Sequence, residues 1–228
     1  MLRRWRHKKR CRSLVSQCSQ PVLKRYLEEC TGLEVNDIQN TPLISADLEL
    51  TGLDARSNQI ISIGWTLIDQ GRIRMGANRH LLISADQSVG SSAAIHELLD
   101  SEVAGGIDLE HGLEALFEAA TGRIWVFHHA VLDAAFLQQA CMKWAGIAPP
   151  FIVLDTMQIE LALRKRREVP VQQGDLQLSR LRSDYRLPRY TAHNALIDAF
   201  ATAELLLAIA ARLDRRAPLK LAHHLRFF

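Results

Sequence analysis

The chain has 228 residues, 48% of them apolar, enough for one sizeable core with length left for an extension. Its net charge of +3 hides an asymmetry: nine Lys and Arg residues, Arg3 to Arg25, precede the first acidic residue, Glu28. Taking these nine from the 28 basic residues leaves 19 against 25 acidic ones, so the leader carries +9 and the body −6, which excludes free attraction of the body to polyphosphate unless cations, a local cluster such as Arg164 to Arg167, or the leader supplies it.

The leader, Arg-rich and acid-poor, reads as a solvated arm, a contact for nucleic acid or an anionic surface, or a transit peptide. The stretch from Ser13 to Pro21 has too few consecutive apolar residues for a secretory signal. Cys11, Cys18, Cys30 and Cys141 form no C-x-x-C pair, so they read as free thiols in a reducing, cytoplasmic compartment. Val22 to Cys30 reads as a short helix that Gly32 can end, and the loop signals of Asn36 to Pro42 put a boundary near 40.

Leu43 to Leu48, Gln59 to Asp69 and Arg72 to Ile83 read as three strands joined by turns. Leu109, Leu113, Leu116 and Phe117 recur at helical spacing, and Arg123 to Phe127 is a β-branched apolar run. Leu132 to Ala145 reads as helix, Phe151 to Leu154 as strand and Met157 to Lys165 as helix. A final helix is expected over Asn194 to Arg212, between Pro188 and Pro218. Asp198, Glu204 and Arg212 interrupt its apolar run, so no membrane span is expected. The predicted class is α/β: a mixed sheet whose first three strands form an antiparallel meander, with later strands parallel and helices on both faces.

Side chains two apart on a strand share a face, so Asp47 and Glu49 project together while Leu48 and Leu50 face the other way. An acidic pair on a strand is most often its solvated face, but this strand is otherwise apolar. Asp133 follows a buried strand, where such sheets place chemistry; taken alone it reads more often as a helix-start residue favoured by the dipole, and its value comes from the other carboxylates. Asp198 lies on an otherwise apolar helix and needs a partner there. His193, five residues earlier, would sit about 140° around a continuous helix from Asp198, so it belongs at or before the first turn. There it is either a base working near pH 7 or a capping histidine.

In order, D-x-E-x-T-G-L, H-x-A-x-x-D-x-x-F-L and H-N-A-x-x-D over residues 43 to 213 resemble the DnaQ-like exonucleases of DEDDh type. Leu154-Asp155-Thr156 is similar to the family's L-D-T segment. The resemblance implies a ribonuclease H-like fold over residues 41–215, with 1–40 as a partly helical basic extension and 216–228 as a short tail. It implies a 3′→5′ exonuclease that takes nucleoside monophosphates from single-stranded nucleic-acid ends, DNA before RNA, with two Mg²⁺ or Mn²⁺ ions. Asp47 would bridge both ions, Glu49 and Asp198 would touch one, and Asp133 would support the other. His193 would take the proton of the attacking water.

Hard cations suit four carboxylates, which without them repel one another and hold protons. Gly52 after Thr51 permits close backbone approach. Leu53 is placed to pack on a terminal base or, alternatively, in the core. His129 stands where the family usually has Asn, which bears on a substrate contact, and His96 resembles a loop residue that flanks the site in relatives. Asp-Leu-Glu-Leu-Thr-Gly-Leu-Asp is closer to the oligoribonucleotide-degrading branch, which keeps an RNA substrate open. The five intact groups argue against a module that binds without turnover. Fewer residues follow the last helix than a proofreading subunit uses to hold a polymerase, which favours a stand-alone nuclease. The terminal HHLRFF is faintly like a sliding-clamp-binding peptide, although a docked terminus covering the core is commoner.

Overall fold

The computed structural model describes residues 2–84, 105–191, 193–213 and 220–228; His96 lies outside them. Among the described residues the strands are β1 (Leu43–Leu50), β2 (Ile60–Asp69), β3 (Arg72–Ile73), β4 (Arg79–Leu82), β5 (Ile124–Phe127), β6 (Ile152–Asp155) and β7 (Leu225–Phe227). The helices are α1 (Leu2–Val15), α2 (Pro21–Gly32), α3 (Leu109–Ala120), α4 (Ala130–Ala145), α5 (Thr156–Arg166), α6 (Leu178–Asp184) and α7 (Ala195–Leu213). One sheet runs β3-β2-β1-β5-β6-β7, with β4 also paired to β2. β1 is antiparallel to β2 and parallel to β5, and β5 is parallel to β6. This is the mixed α/β sheet expected. The third strand differs: a 3₁₀ turn at Met75–Ala77 splits it into β3 and β4. Asn78 ends that turn and accepts from the Thr66 hydroxyl at 2.6 Å, drawing the chain back onto β2.

The two faces of the sheet are packed by different chemistry. On one, Trp125 stacks on Phe127 at 5.4 Å and meets Phe117 edge-on at 5.8 Å. Tyr26 of α2 closes this cluster, accepting from Trp125 Nε1 at 2.9 Å and donating to the Pro150 carbonyl at 3.3 Å. A buried Tyr hydroxyl thus has both its polar needs met inside an apolar cluster. On the other face α7 lies across β1 and β2 through buried Ala199 and Ala203. Their small side chains let the helix approach, and the Ser45 hydroxyl donates to the Ala199 carbonyl at 2.7 Å.

The leader is not a solvated arm. Its helix α1 packs on α2 and β7, burying His7 and Cys11 and leaving Arg3, Arg6, Lys9 and Arg12 exposed. Cys11, Leu23 and Leu27 belong to the same hydrophobic core as Leu43 and Ile44, which lie on the other side of the loop before β1. The terminal aromatics are docked rather than free. β7 pairs antiparallel with β6, and Phe228 exchanges backbone hydrogen bonds with Phe151 at 3.1 and 3.2 Å. This covers what would otherwise be an open strand edge. No helix among the described residues is long and apolar enough to cross a membrane.

One buried carboxylate fixes where two helices begin. Asp155 ends β6 at 1% exposure. It accepts from the backbone N–H groups of His129 and Ala130 at 3.2 Å each, at the start of α4, and from Gln158 at 3.3 Å, in the first turn of α5. Helix starts carry orphan donors, and a carboxylate there satisfies them and complements the dipole. Asp155→Ala leaves three backbone donors without it and is expected to cost about 2–4 kcal/mol, measured by urea unfolding. Asp155→Asn is expected to recover part of the loss, and equal stability of the alanine variant would contradict this role.

Candidate active site

The site begins with the alternation of β1. Ser45, Asp47 and Glu49 share one face, and their partners across β2 are Thr66, Gly64 and Ser62. A polar stripe therefore crosses an apolar sheet beneath α7. Gly64 is what allows α7 to lie there: a Cβ at this position would stand 2.1 Å from the backbone of Ala195 and Leu196. The start of α7 thus rests directly on the Asp47–Gly64 pair. Asp198, one turn into α7, is delivered to Asp47 and Glu49, and oxygens of the three carboxylates lie within 4.8 Å of one another.

The H-N-A-x-x-D motif is a single hydrogen-bonded unit. Asn194 caps α7, its Oδ1 accepting from Ile197 N–H at 3.1 Å. Asp198 Oδ2 accepts from the His193 N–H at 2.9 Å, and His193 has a left-handed φ of 68°. The backbone thereby reverses just before the helix and puts the exposed imidazole at its mouth, the place expected from the five-residue spacing. Asp133, in the first turn of α4, is buried. It is brought near Asp47 by the helix start that Asp155 anchors, and it stands outside the tight set formed by the other three.

Burial and mutual repulsion shape the electrostatics. Burial pushes Asp47 well above the usual carboxylate range, and Asp133, Glu49 and Asp198 add to it. Glu49 is pushed up to about 8, by burial first and then by Asp198 and Asp133. Asp133 is raised to about 7 by burial, opposed by hydrogen bonds from its own and the Leu48 backbone. Burial also raises Asp198, while the His193 N–H pulls it back. Such a set fits hard divalent cations, which prefer several carboxylate oxygens.

The remaining expected residues are distributed around this centre. The Thr51 hydroxyl accepts from the Gln59 N–H at 2.9 Å, closing the loop after β1. At Gly52 a Cβ would lie 2.5 Å from Asn58 Oδ1, so the glycine accommodates that side chain. Leu53 does not pack in the core: it is 81% exposed. With His129, Val131 and Met142 it lines a groove of about 840 Å³. His129 sits at φ 71° before α4, a conformation that Asn and His tolerate better than most residues. A second cleft, of about 630 Å³, is lined by Arg180, Arg182, Arg189, Tyr190, His193 and Asp198.

Of the expected Arg164 to Arg167 cluster, Lys165, Arg166 and Arg167 are exposed, whereas Arg164 is engaged. Arg164 is held by Glu160, Asp175 and Asp184 at 3.2, 3.5 and 2.8 Å, contributed by three different segments. Arg182 is a positioning residue that sequence reasoning missed. It is buried, donates to the carbonyls of Ala201 and Pro188 and to Glu204, and lies 4.5 Å from the centre of the Tyr190 ring. Gly64 lies outside the expected set, and Asp155 is expected only as part of the L-D-T segment, although both carry a further signal. A glycine inside an apolar strand marks close backbone approach, and an Asp between a strand and a helix is an N-cap.

Two outcomes follow from this packing. Gly64→Ala forces backbone apart and is expected to cost about 2–3 kcal/mol in urea unfolding and to weaken stabilisation by added Mg²⁺; unchanged values for both would contradict the close approach. The second concerns pH. Glu49 and Asp133 titrate in the fold at about 8 and about 7, whereas ordinary carboxylates titrate near 4. Between those values the folded chain binds more protons than the unfolded chain, so stability falls as pH rises. The cation-free protein is expected to melt at lower temperature at about pH 8 than at about pH 5, with Mg²⁺ reversing most of the loss at the higher pH. A melting temperature indifferent to both would contradict the repulsion.

The exonuclease family RNase_T matches residues 44–206. A curated relative, the PolC-type DNA polymerase III of Thermotoga petrophila, is 26% identical over 173 residues, which are 75% of this chain and 12% of that protein. The chain therefore spans only a small part of that relative. Among solved structures, the zinc-bound E. coli ExoI–ssDNA complex aligns with a TM-score of 0.65 at 13% identity, covering 77% of this chain and 42% of that one. S. pombe Pop2p in its Mg²⁺- and Mn²⁺-bound form aligns with a TM-score of 0.63 at 16% identity, covering 97% and 95%. By its ordered motifs, its sheet and the match over residues 44–206, the chain belongs to the exonuclease family, as a DnaQ-like member of DEDDh type with a ribonuclease H-like fold.

Proposed function

We propose that this chain is a divalent-cation-dependent 3′→5′ exonuclease that releases nucleoside monophosphates from single-stranded DNA ends. The observation that carries the reading is the convergence of Asp47, Glu49 and Asp198 within 4.8 Å, with His193 fixed beside Asp198. Asp47, Glu49 and Asp198, with Asp133 in support, would hold two Mg²⁺ or Mn²⁺ ions. When bound, such ions offset the carboxylate charge, stabilise negative charge on phosphate oxygens and make water a better nucleophile.

The chain's own groups do the rest. The His193 imidazole accepts a proton from the attacking water, and its backbone is anchored by Asp198, so the base is aimed from a fixed reversal of the chain. Leu53 offers an exposed apolar surface for a terminal base, with His129 on the same groove. Exposed Arg180 and Arg189 beside Tyr190 offer phosphate and base contacts at the His193 cleft. The exposed cations of α1 add sequence-independent attraction, in keeping with the charge split between leader and body. ExoI solved with ssDNA and Pop2p solved with Mg²⁺ and Mn²⁺ support this choice of substrate and ions. A second reading, trimming of RNA ends or short oligoribonucleotides, is favoured by the oligoribonuclease-like first motif.

Matched DNA and RNA oligonucleotides labelled at either end, digested with Mg²⁺ or Mn²⁺, test the proposal. Mononucleotides are expected from the 3′ end, faster from DNA; faster release from RNA would select the second reading, and release from the 5′ end would overturn the direction. Asp47→Ala is expected to abolish release. His193→Ala is expected to lower turnover by roughly 10²–10⁴-fold while leaving cation binding within about twofold. Unchanged turnover in the His193 variant would remove it as the base.

A further inference from the structure

Away from the carboxylates, α1 and α2 enclose a second cluster of ligating groups. His7 and Cys11 lie four residues apart on one face of α1, and Cys30 approaches from α2. All three are buried, at 4%, 0% and 1% exposure, and one ligand atom from each lies within 4.8 Å of the other two. His7 Nε2 and Cys11 Sγ are 3.5 Å apart. A zinc ion bound by sulfur at about 2.3 Å and by imidazole nitrogen at about 2.0–2.1 Å spaces neighbouring tetrahedral ligands by roughly 3.6 Å, so the pair already has the separation of two ligands on one ion.

The cluster is poorly explained as ordinary core. The His7 ring turns Nε2 to Cys11 Sγ, so Nε2 is the nitrogen available to an ion, while Nδ1 has no hydrogen-bond partner among the described residues; a buried imidazole normally has both satisfied. Thiolate and imidazole donors select zinc or a similarly thiophilic ion and discriminate against Mg²⁺, which favours the carboxylate site.

We infer that His7, Cys11 and Cys30 form a structural zinc site that fastens the basic helix α1 to α2. Two thiolates and one neutral imidazole exactly offset the charge of Zn²⁺, so the centre is neutral in its buried setting, with both thiol protons released to solvent on binding. With three protein ligands, a water would take the fourth tetrahedral position. The edge of the His7 ring meets Phe227 of β7 at 5.6 Å, so the same ion braces the leader against the terminal strand. The absence of a C-x-x-C pair hid this site in the sequence, because its ligands pair across two helices.

Metal analysis of the full chain, purified in reductant and exchanged against excess Mg²⁺ to clear the carboxylates, tests the inference. About one zinc per chain is expected, at least tenfold less in Cys11→Ser/Cys30→Ser, and a zinc-dependent rise in melting temperature confined to the wild type. Replacement with Co²⁺ is expected to give a thiolate-to-metal charge-transfer band that carboxylates cannot produce. Should the double variant fail to fold, Cys30→Ala is the substitute, with an apolar side chain at a buried position and the same expected loss of zinc and of the cobalt band. Equal zinc in wild type and variants, absence of the cobalt band, or a chain lighter by two hydrogens through a Cys11–Cys30 disulfide would each overturn the site.

Discussion

Asp47, Glu49 and Asp198 present oxygens within 4.8 Å of one another on a strand and a helix that are pressed together, and like charges at that separation repel strongly once water is excluded. The surrounding fold is arranged so that the repulsion cannot separate them. Gly64 puts no side chain where the backbone of α7 meets β2, and Ser45 ties the helix to β1 one turn further along. The raised carboxyls record the cost of this arrangement. A cation that relieves it is bound and stabilises the fold in the same act.

Two backbone reversals carry the same logic to the catalytic periphery. His129 and His193 both adopt left-handed conformations immediately before helices, and both have their N–H groups held by a carboxylate, Asp155 in one case and Asp198 in the other. Asp155 thereby sets where α4 begins and hence where Asp133 points. Asp198 serves twice, as a cation ligand candidate and as the anchor for His193. Moving either aspartate would disturb a neighbour's position as well as remove its own charge.

Much of this was legible from residue patterns because the elements concerned repeat. β1 alternates, so Asp47 and Glu49 had to share a face; α7 is long and apolar, so Asp198 stood out; the spacing from Asp198 put His193 before the first turn. What was illegible depended on contacts between distant segments. α1 has few apolar residues, and its burial of His7 and Cys11 comes from α2 and β7. β7 has three residues, too few for a pattern, and exists because β6 offers an edge. α6 fell in a stretch without a clear period. Arg164 looked like part of a basic patch because Glu160, Asp175 and Asp184 meet it only after folding. Gly64 is legible by the same means: a glycine in the middle of an apolar strand signals that another backbone comes close.

The divalent cations proposed for the repelling carboxylates lie in line with the His193 cleft. Crystals grown with Mn²⁺ and a nucleoside monophosphate, measured for anomalous scattering from manganese, test it most directly. Two manganese peaks are expected, bounded by Asp47, Glu49, Asp198 and Asp133, with the phosphate between them and the His193 imidazole. Manganese absent from these carboxylates, or bound elsewhere while the phosphate sits apart from His193, would contradict it.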